Sequence, residues 1–125
     1  MILDTNAVSA LADGDTKLLA VVSRVSRFSL PVIVLGEYRF GIARSRHRQR
    51  YVDWLCKLTM ASTVLSIDEE TTEHYAALRE ALRDSGHPIP SNDAWIAALA
   101  FQHRLPVVTR DAHFDWVQGL ERKAW

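Results

Sequence analysis

The sequence predicts a single α/β domain that spans residues 1–125. Short apolar segments of strand length alternate along the chain with longer segments in which apolar residues recur three and four positions apart, as they do on one face of a helix. No linker, repeat or low-complexity stretch divides the chain. Its 125 residues, 48% of them hydrophobic and 24% charged, suffice for a core of two or three layers.

The first part of the chain predicts two strands and two helices. The strands cover residues 1–3 and 28–30, and the helices cover residues 7–11 and 16–25. The second of these helices is indicated by a buried stripe, in which apolar residues stand three and four apart. The stripe consists of Leu18, Leu19, Val22 and Val25.

A third helix is predicted to begin at Pro31, because the first helical turn tolerates a residue without an N–H group. Leu35, Tyr38 and Ile42 then continue at helical spacing. On propensity alone, the run that starts at Val32 fits a strand equally well. A helix is preferred because the polar residues of this segment do not alternate with apolar ones.

The second half of the chain continues the alternation of helices and strands. Asp68 is the predicted N-cap of a long helix that ends at Gly86, where a left-handed residue stops it. Ser91 is the predicted cap of the next helix. The remaining predicted elements are a helix at 47–58, a strand at 63–67 and a buried strand of the parallel type at 105–109.

Composition and charge restrict the class of protein. Fifteen basic residues balance fifteen acidic ones, so binding to nucleic acid would need a local basic patch. No apolar run approaches the roughly 20 residues that cross a bilayer, and the chain does not begin like a signal peptide. We therefore expect a cytoplasmic protein without membrane contact. The single cysteine, Cys56, excludes a disulfide framework and is expected to be a small core residue.

Four acidic residues stand at the edges of predicted apolar elements. Asp4 and Asp111 each follow a predicted strand, whereas Glu37 and Asp93 lie in predicted helices. A carboxylate in such a place must be protonated, paired or bound to a cation. Because ligands bind at the carboxyl edge of an open parallel sheet, a hard metal ion is the simplest common explanation.

Each acid also has an ordinary structural explanation. Asp4 fits a turn in which its carboxylate bonds the backbone, and Asp111 fits an ordinary turn after a strand. Asp93 fits a favourable position near a helix N-terminus. Glu37 fits a buried ion pair with an arginine. We prefer a single metal site, because the alternative requires all four of these separate explanations to be true at the same time. The candidate partners of Glu37 are Arg39 and Arg110.

In four segments, taken in order, the chain resembles the PIN-domain ribonucleases, and among them the toxin half of bacterial VapBC toxin–antitoxin pairs. Each motif is short and weak by itself, but four in the family's order over nearly the whole chain form a specific signal. The segments are Leu3-Asp4-Thr5-Asn6, Gly36-Glu37-Tyr38-Arg39-Phe40-Gly41, Asn92-Asp93-Ala94-Trp95-Ile96-Ala97-Ala98, and Val108-Thr109-Arg110-Asp111 with His113-Phe114.

The resemblance implies a three-layer fold in which a central parallel sheet carries helices on both faces. It also implies a phosphodiesterase site that depends on Mg²⁺ or Mn²⁺, a homodimer, and inhibition by a cognate VapB-type antitoxin. Many relatives have another acid just before the residue that corresponds to Phe114, where this chain has His113. The fourth acidic position therefore falls on Asp111, with Asp115 as the alternative.

The resemblance makes Asp4, Glu37, Asp93 and Asp111 the predicted catalytic residues. Phosphodiester hydrolysis needs an activated water and a counter-charge for the phosphate oxygens, and divalent ions supply both. We expect Asp4, Asp93 and Asp111 to bind the metal and Glu37 to orient a metal-bound water. The residues expected to support them through hydrogen bonds are Thr5, Asn6 and Thr109.

Basic residues are concentrated directly after Glu37. One interpretation is a ridge that contacts RNA phosphates beside the acidic site, despite the zero net charge. The other is a solvated helix face, and the sequence supports the two about equally. The five histidines have no paired metal-ligand spacing and are expected to be surface or core residues. The candidate RNA-binding residues are Arg39, Arg44, Arg46 and Arg48.

The sequence therefore predicts a metal-dependent endoribonuclease that acts as the toxin of a type II toxin–antitoxin pair. An alternative is a catalytically inactive PIN-like scaffold that binds protein, although such scaffolds commonly lose an acid and this chain has all four. An aspartyl-phosphate phosphatase is a weaker alternative. Those enzymes usually carry a second aspartate two residues after the first, where this chain has Asn6.

Overall fold

The computed structural model describes residues 1–125, and a five-stranded parallel sheet lies at its centre. The strands are β1 (Ile2–Leu3), β2 (Ser29–Pro31), β3 (Thr63–Leu65), β4 (Val107–Val108) and β5 (Arg122–Lys123). Their order in the sheet is β3-β2-β1-β4-β5, and every neighbouring pair is parallel.

Six α-helices and one 3₁₀ helix connect the strands. They are α1 (Thr5–Ala12), α2 (Thr16–Val22), α3 (Val32–Ile42), α4 (Arg48–Met60), α5 (Glu69–Asp84), α6 (Ser91–His103) and the 3₁₀ helix Ala112–Trp116.

The two central strands are apolar on both faces because helices cover the sheet on both sides. Leu3 of β1 and Val108 of β4 are fully buried, as are their strand neighbours Ile2 and Val107. Such continuous apolar runs are typical of parallel strands. Helix α6 is buried from Ala94 to Ala100, except for the half-buried Trp95, and packs against α5. The predicted α/β class and the three-layer arrangement are confirmed.

The chain reverses its path across the sheet at β1. From β1 it proceeds to β2 and β3 on one side, and it then crosses back to β4 and β5 on the other side. Leu3 pairs with Val108, so the carboxyl ends of β1 and β4 are adjacent. Ligands bind at such a reversal point in open α/β sheets. Asp4 and Asp111, which follow these two strands, are therefore brought to one place.

Most predicted elements are confirmed with shifted boundaries. The segment after Pro31 is helical as predicted, although Pro31 itself ends β2 and does not lie in the first helical turn. Asp68 is the N-cap of α5, and Gly86 follows that helix with a φ of 75°. The predicted cap at Ser91 is wrong, because the residue before it occupies the N-cap position without a side-chain hydrogen bond.

Two short elements and one side chain differ from the sequence analysis. The 3₁₀ helix and β5 were not predicted, because neither has an apolar pattern long enough to indicate an element. Cys56 is exposed, so its predicted place in the core is wrong. Helix α4 buries only Leu55 completely, and the next residue faces outward. None of the helices combines the length and the apolar character that crossing a membrane requires.

Candidate active site

An open cleft of about 610 Å³ lies at the carboxyl edge of the sheet, where β1 and β4 end. All four acids that the sequence predicts as catalytic line this cleft, and no lysine or arginine does. Their negative charges therefore face one another without a basic side chain among them. The lining residues are Asp4, Thr5, Asn6, Ser9, Glu37, Phe40, Asn92, Asp93 and Asp111.

Asp4 is the most deeply buried of the four acids, with 5% of its surface exposed. Its Oδ1 accepts a hydrogen bond from the backbone N–H of Thr5 at 2.7 Å, which caps α1 and closes the turn after β1. Its Oδ2 accepts hydrogen bonds from Oγ1 of Thr109 at 2.7 Å and from Nδ2 of Asn6 at 2.8 Å. Burial raises the pKa of Asp4, an effect that the hydrogen bonds oppose and the neighbouring acids reinforce.

Thr109 and Asn6 join the ends of β1 and β4. Besides donating to Asp4, the buried hydroxyl of Thr109 accepts hydrogen bonds from Nδ2 of Asn6 and from the backbone N–H of Asp111, both at 2.9 Å. Oδ1 of Asn6 accepts a hydrogen bond from the backbone N–H of Arg110 at 3.1 Å. The structure thus places Thr5, Asn6 and Thr109 as hydrogen-bond partners of the acids.

Glu37 reaches the cleft from α3 and is held by both of its carboxylate oxygens. Oε2 accepts a hydrogen bond from the hydroxyl of Thr5, and Oε1 accepts one from Nδ2 of Asn92 at 2.8 Å. No basic side chain pairs with it, because Arg110 binds Asp15 instead. The ion-pair explanation of Glu37 is therefore wrong, and its negative charge is left for another cation.

Asp93 lies in the first turn of α6 and is partly exposed. Burial, followed by the negative charges of Asp4, Asp111 and Glu37, raises the pKa of Asp93 to about 6, while His113 lowers it. A helix N-terminus ordinarily favours the charged carboxylate. The helix-end explanation therefore accounts for the position of Asp93 but not for the direction of this pKa shift, which reflects burial beside other acids.

Asp111, and not Asp115, lies in the cleft. Asp111 caps the 3₁₀ helix, and its Oδ1 accepts a hydrogen bond from the backbone N–H of His113 at 2.8 Å. Asp111 also belongs to a cluster of three possible metal ligands that lie within 4.8 Å of one another. The cluster consists of a carboxylate oxygen of Asp93, a carboxylate oxygen of Asp111 and a ring nitrogen of His113. Asp115 accepts hydrogen bonds of 2.6 Å and 2.7 Å from Arg122, and these lower its pKa.

The donor set fits a divalent cation. Carboxylate oxygens are the ligands that Mg²⁺ and Mn²⁺ prefer, and the cleft offers them from four side chains. Burial first, and then repulsion by the neighbouring acids, raises the pKa values of Asp4 and Asp93, and a bound cation would offset both effects. Asp93, Asp111 and His113 form the cluster with metal-ligand spacing, and Asp4 and Glu37 line the same cleft.

Sequence reasoning missed three residues of this region. Asn92 adjoins Asp93 in its motif, but only the fold reveals that its side chain reaches Glu37. Phe40 lines the cleft although 85% of its surface is exposed. His113 is not the ordinary surface or core residue that was expected, because the 3₁₀ helix brings its Nδ1 to 3.1 Å from a carboxylate oxygen of the cleft.

The four arginines predicted to contact RNA are exposed and do not line the cleft. Arg39 lies two residues after Glu37 on α3, about 200° further around the helix, so the two side chains do not share a face. Arg44 and Arg46 precede α4, and Arg48 begins it. None of the four forms an ion pair. Their charges are available to a polyanion, and the RNA-binding ridge stays a prediction.

Comparison with known sequences identifies relatives along almost the whole chain. The family model of the PIN domain matches residues 1–120. Ribonuclease VapC5 of Mycobacterium tuberculosis is 30% identical over 94% of this chain and 87% of its own length. VapC ribonuclease Y4jK of Sinorhizobium fredii is 32% identical over 97% of this chain and 94% of its own length.

Solved structures of similar shape come from toxin–antitoxin complexes. A chain of VapBC-1 from nontypeable Haemophilus influenzae superimposes with a TM-score of 0.86 at 27% identity, covering 99% of this chain and 96% of that one. A chain of DNA-bound VapBC from Salmonella typhimurium has a TM-score of 0.87 and covers 99% of this chain and 96% of that one. Its sequence is 24% identical, so this match is evidence for the fold alone. The sequence match, the sheet and the four acids at its carboxyl edge agree, and this chain belongs to the PIN domain family.

Proposed function

We propose that this protein is a metal-dependent endoribonuclease that acts as the toxin of a type II toxin–antitoxin pair. The observation that carries the proposal is the convergence of four carboxylates, with no basic side chain among them, at the reversal point of a PIN-domain sheet. RNA as the substrate is supported by two relatives at 30% and 32% identity, both of which are ribonucleases. In this proposal residues 1–125 act as one domain.

The proposed metal ligands are Asp4, Asp93 and Asp111. When bound, a divalent ion supplies an activated water and a counter-charge for the phosphate oxygens. The hydrogen bonds from Thr109 and Asn6 fix one carboxylate oxygen of Asp4 in advance, so that little reorganisation is needed when the metal and the phosphate arrive.

Glu37 is the residue best placed to receive a proton from the attacking water. Its two oxygens are held by Thr5 and Asn92, which are neutral donors and leave its negative charge unneutralised. Each oxygen keeps a lone pair beyond the one used in its hydrogen bond. The structure therefore supports a role for Glu37 in orienting and deprotonating water rather than in an ion pair.

The proposed cofactor is Mg²⁺ or Mn²⁺. Both ions bind oxygen ligands in an octahedral arrangement and keep several waters, which suits an open cleft with few direct protein ligands. Arg39, Arg44, Arg46 and Arg48 are proposed to hold the RNA backbone on the surface outside the cleft through their exposed charges, none of which forms an ion pair.

The proposed partners are a cognate VapB-type antitoxin and a second copy of this chain. Similar solved structures include VapBC-1 of nontypeable Haemophilus influenzae at 27% identity and a VapBC-5 structure of Mycobacterium tuberculosis at 28% identity. RNA substrates and the antitoxin occur in the cytoplasm, which is where the proposal places the protein. The alternative of an inactive scaffold has no lost acid to support it, because all four acids line the cleft.

The test is cleavage of a labelled RNA by the purified chain in Mg²⁺ or Mn²⁺, with and without EDTA. We expect Asp4→Asn, Glu37→Gln and Asp93→Asn each to reduce cleavage by at least about 100-fold, because each removes a charge on which the metal or the water depends. Matched controls are Glu73→Gln and Asp84→Asn, which neutralise exposed acids outside the cleft.

The proposal fails if cleavage persists in EDTA or if the three cleft variants cut RNA like the parent. Circular dichroism and thermal unfolding of each variant establish that a loss of cleavage does not come from a loss of fold.

A further inference from the structure

His113 places a ring nitrogen among the acids of the cleft. Nδ1 lies 3.1 Å from Oδ1 of Asp111, and a ring nitrogen of His113 belongs to the cluster with Asp93 and Asp111 that spans at most 4.8 Å. His113 is not one of the residues that line the cleft. It approaches Asp93 and Asp111 from the 3₁₀ helix.

The Nδ1 atom of His113 is buried and has no hydrogen-bond partner, although 44% of the side chain is exposed. The exposed part of the ring is therefore on the other side from Nδ1. Its contact with Asp111 lacks the direction of a hydrogen bond and would be an ion pair only if the ring were protonated. A buried polar atom without a partner is unfavourable. A metal ion in the cluster would accept the lone pair of the neutral ring at this atom.

The observed distances suit shared coordination of one ion. Two neighbouring ligand atoms on an octahedral ion, each roughly 2.1 Å from the metal, are separated by roughly 3 Å. The distance between Nδ1 of His113 and Oδ1 of Asp111 is 3.1 Å, and the cluster needs only a slight contraction from its 4.8 Å span to close around an ion.

The position of the His113 ring is fixed by its surroundings. Its backbone N–H donates to Asp111, the side chain of the next residue, Phe114, is fully buried, and its ring packs against Trp116 with centroids 5.0 Å apart. A ligand held in this way loses little side-chain freedom when the ion binds, which favours affinity.

We propose that His113 is a nitrogen ligand of the metal site, together with Asp93 and Asp111, and that it biases the site toward Mn²⁺ over Mg²⁺. An imidazole nitrogen is a softer donor than a carboxylate and binds transition metals better than it binds Mg²⁺. This inference rests on the proposed function only in requiring that the cleft binds a divalent ion.

The experiment measures metal binding without RNA. Isothermal titration calorimetry gives the dissociation constants of Mn²⁺ and Mg²⁺, and electron spin echo spectroscopy of the Mn²⁺-loaded protein detects coupling to a directly bound ¹⁴N nucleus. The variants are His113→Ala, which removes the donor, and His113→Asp, which replaces nitrogen by oxygen. The matched control is His87→Ala, because His87 packs against the same Trp116 at 5.0 Å without belonging to the cluster.

We expect nitrogen coupling in the parent and in His87→Ala, and none in either His113 variant. His113→Ala should weaken Mn²⁺ binding about tenfold or more, since even the loss of an outer-shell partner costs a site about that much. In His113→Asp, the preference for Mn²⁺ over Mg²⁺ should fall while Mg²⁺ binding is retained or improved, a result that loss of fold would not produce.

The inference is overturned if the Mn²⁺-loaded parent shows no nitrogen coupling, or if His113→Ala binds both ions like the parent, in which case His113 only contacts Asp111. These outcomes differ from failure of the proposed function. A protein that binds Mn²⁺ through nitrogen and cuts no RNA contradicts the function alone, whereas one that cuts RNA with an all-oxygen site contradicts the inference alone.

Discussion

The hydroxyl of Thr5 donates a hydrogen bond to Glu37, 32 positions further along the chain. The backbone N–H of the same Thr5 donates to Asp4 at 2.7 Å. One residue at the start of α1 therefore positions two of the predicted catalytic carboxylates through two different groups. The side-chain contact can be removed without disturbing the backbone contact.

The first prediction concerns this side-chain contact. Thr5→Val keeps the shape of the side chain and the N–H that binds Asp4 but cannot donate to Glu37. We expect kcat for RNA cleavage to fall about tenfold, because a hydrogen bond to a charged group contributes about 1.5 kcal/mol or more. KM should change little if Glu37 acts on water and not on RNA. Thr5→Ser keeps the hydroxyl and should restore most of the activity, and a Thr5→Val enzyme as active as the parent would contradict this role.

The second prediction concerns stability and pH in the metal-free protein. The folded state holds the pKa of Asp93 at about 6, above its ordinary value of 3.8. The folded state therefore binds this proton more tightly than the unfolded state does. The contribution to stability is fully present below pH 4, and it is lost as the pH rises from about 4 to about 6.

Asp93→Asn removes this pH dependence. Without metal, we expect its Tm at pH 7 to exceed that of the parent by roughly 2–5 °C, and the difference to shrink toward pH 4. Differential scanning calorimetry in EDTA at several pH values measures it, with Asp84→Asn as the control for loss of a surface charge. Added Mn²⁺ should raise the Tm of the parent more than that of the variant. A variant less stable than the parent at pH 7 would show that the cost of burying a charged Asp93 beside the other acids does not dominate at this position.

The third prediction tests the exposed arginines. If Arg44, Arg46 and Arg48 contact phosphates, changing all three to Ala should weaken binding of catalytically inactive protein to different RNA sequences about equally. The slope of log K against log salt should flatten by about one unit for each lost contact. Metal binding, measured by calorimetry, should not change because none of the three lines the cleft.

The control for this prediction removes the same charge elsewhere. Arg24 just after α2, Lys57 in the last turn of α4 and Arg83 on α5 are exposed and lie outside the stretch from Arg44 to Arg48, so changing them to Ala alters the net charge equally. If the two triple variants bind RNA alike at every salt concentration, the stretch from Arg44 to Arg48 is a solvated surface and not a binding ridge.

The fourth prediction separates Asp111 from Asp115. Asp111→Asn should weaken binding of Mn²⁺ about tenfold or more, because one oxygen of Asp111 belongs to the metal-spaced cluster. Asp115→Asn should leave the dissociation constant unchanged and change stability little, since it removes only an ion pair with Arg122 at the surface. Equal effects of the two changes on metal affinity would contradict the assignment.

The sequence was sufficient to predict the class of fold and the positions of the acids, for a physical reason. A carboxylate such as Asp4 at the edge of a buried element needs a proton, a partner or a cation, so four such acids in one chain are noticeable without knowledge of the fold. The helix that carries Glu37 was also recognisable, because its apolar spacing continues through a segment that propensity alone leaves ambiguous.

The contacts that the sequence did not predict are those formed by polar residues from distant segments. The side-chain amide of Asn92 donates a hydrogen bond to Glu37, 55 positions earlier in the chain, and no sequence periodicity predicts a contact of this kind. Strand β5 has only two residues, Arg122 and Lys123, and it is held by backbone hydrogen bonds to β4 that any side chain permits. His113 depends on a 3₁₀ helix that has no apolar pattern of its own.

The hydrogen bond between Thr109 and Asp4 joins residues 105 positions apart, and it has a consequence for the time at which the protein becomes able to bind metal. During translation the carboxylate of Asp4 is made long before its partner, and Thr109 is itself held by the carbonyl of Lys123, which accepts its N–H at 3.1 Å. A nascent chain that has not yet released β4 and β5 from the ribosome therefore has Asp4 and Glu37 but lacks Asp111 and the residues that orient Asp4. The acidic site is assembled only once β4 and β5 have emerged and paired, so a growing chain that still holds these two strands inside the ribosome lacks a complete site for attacking RNA.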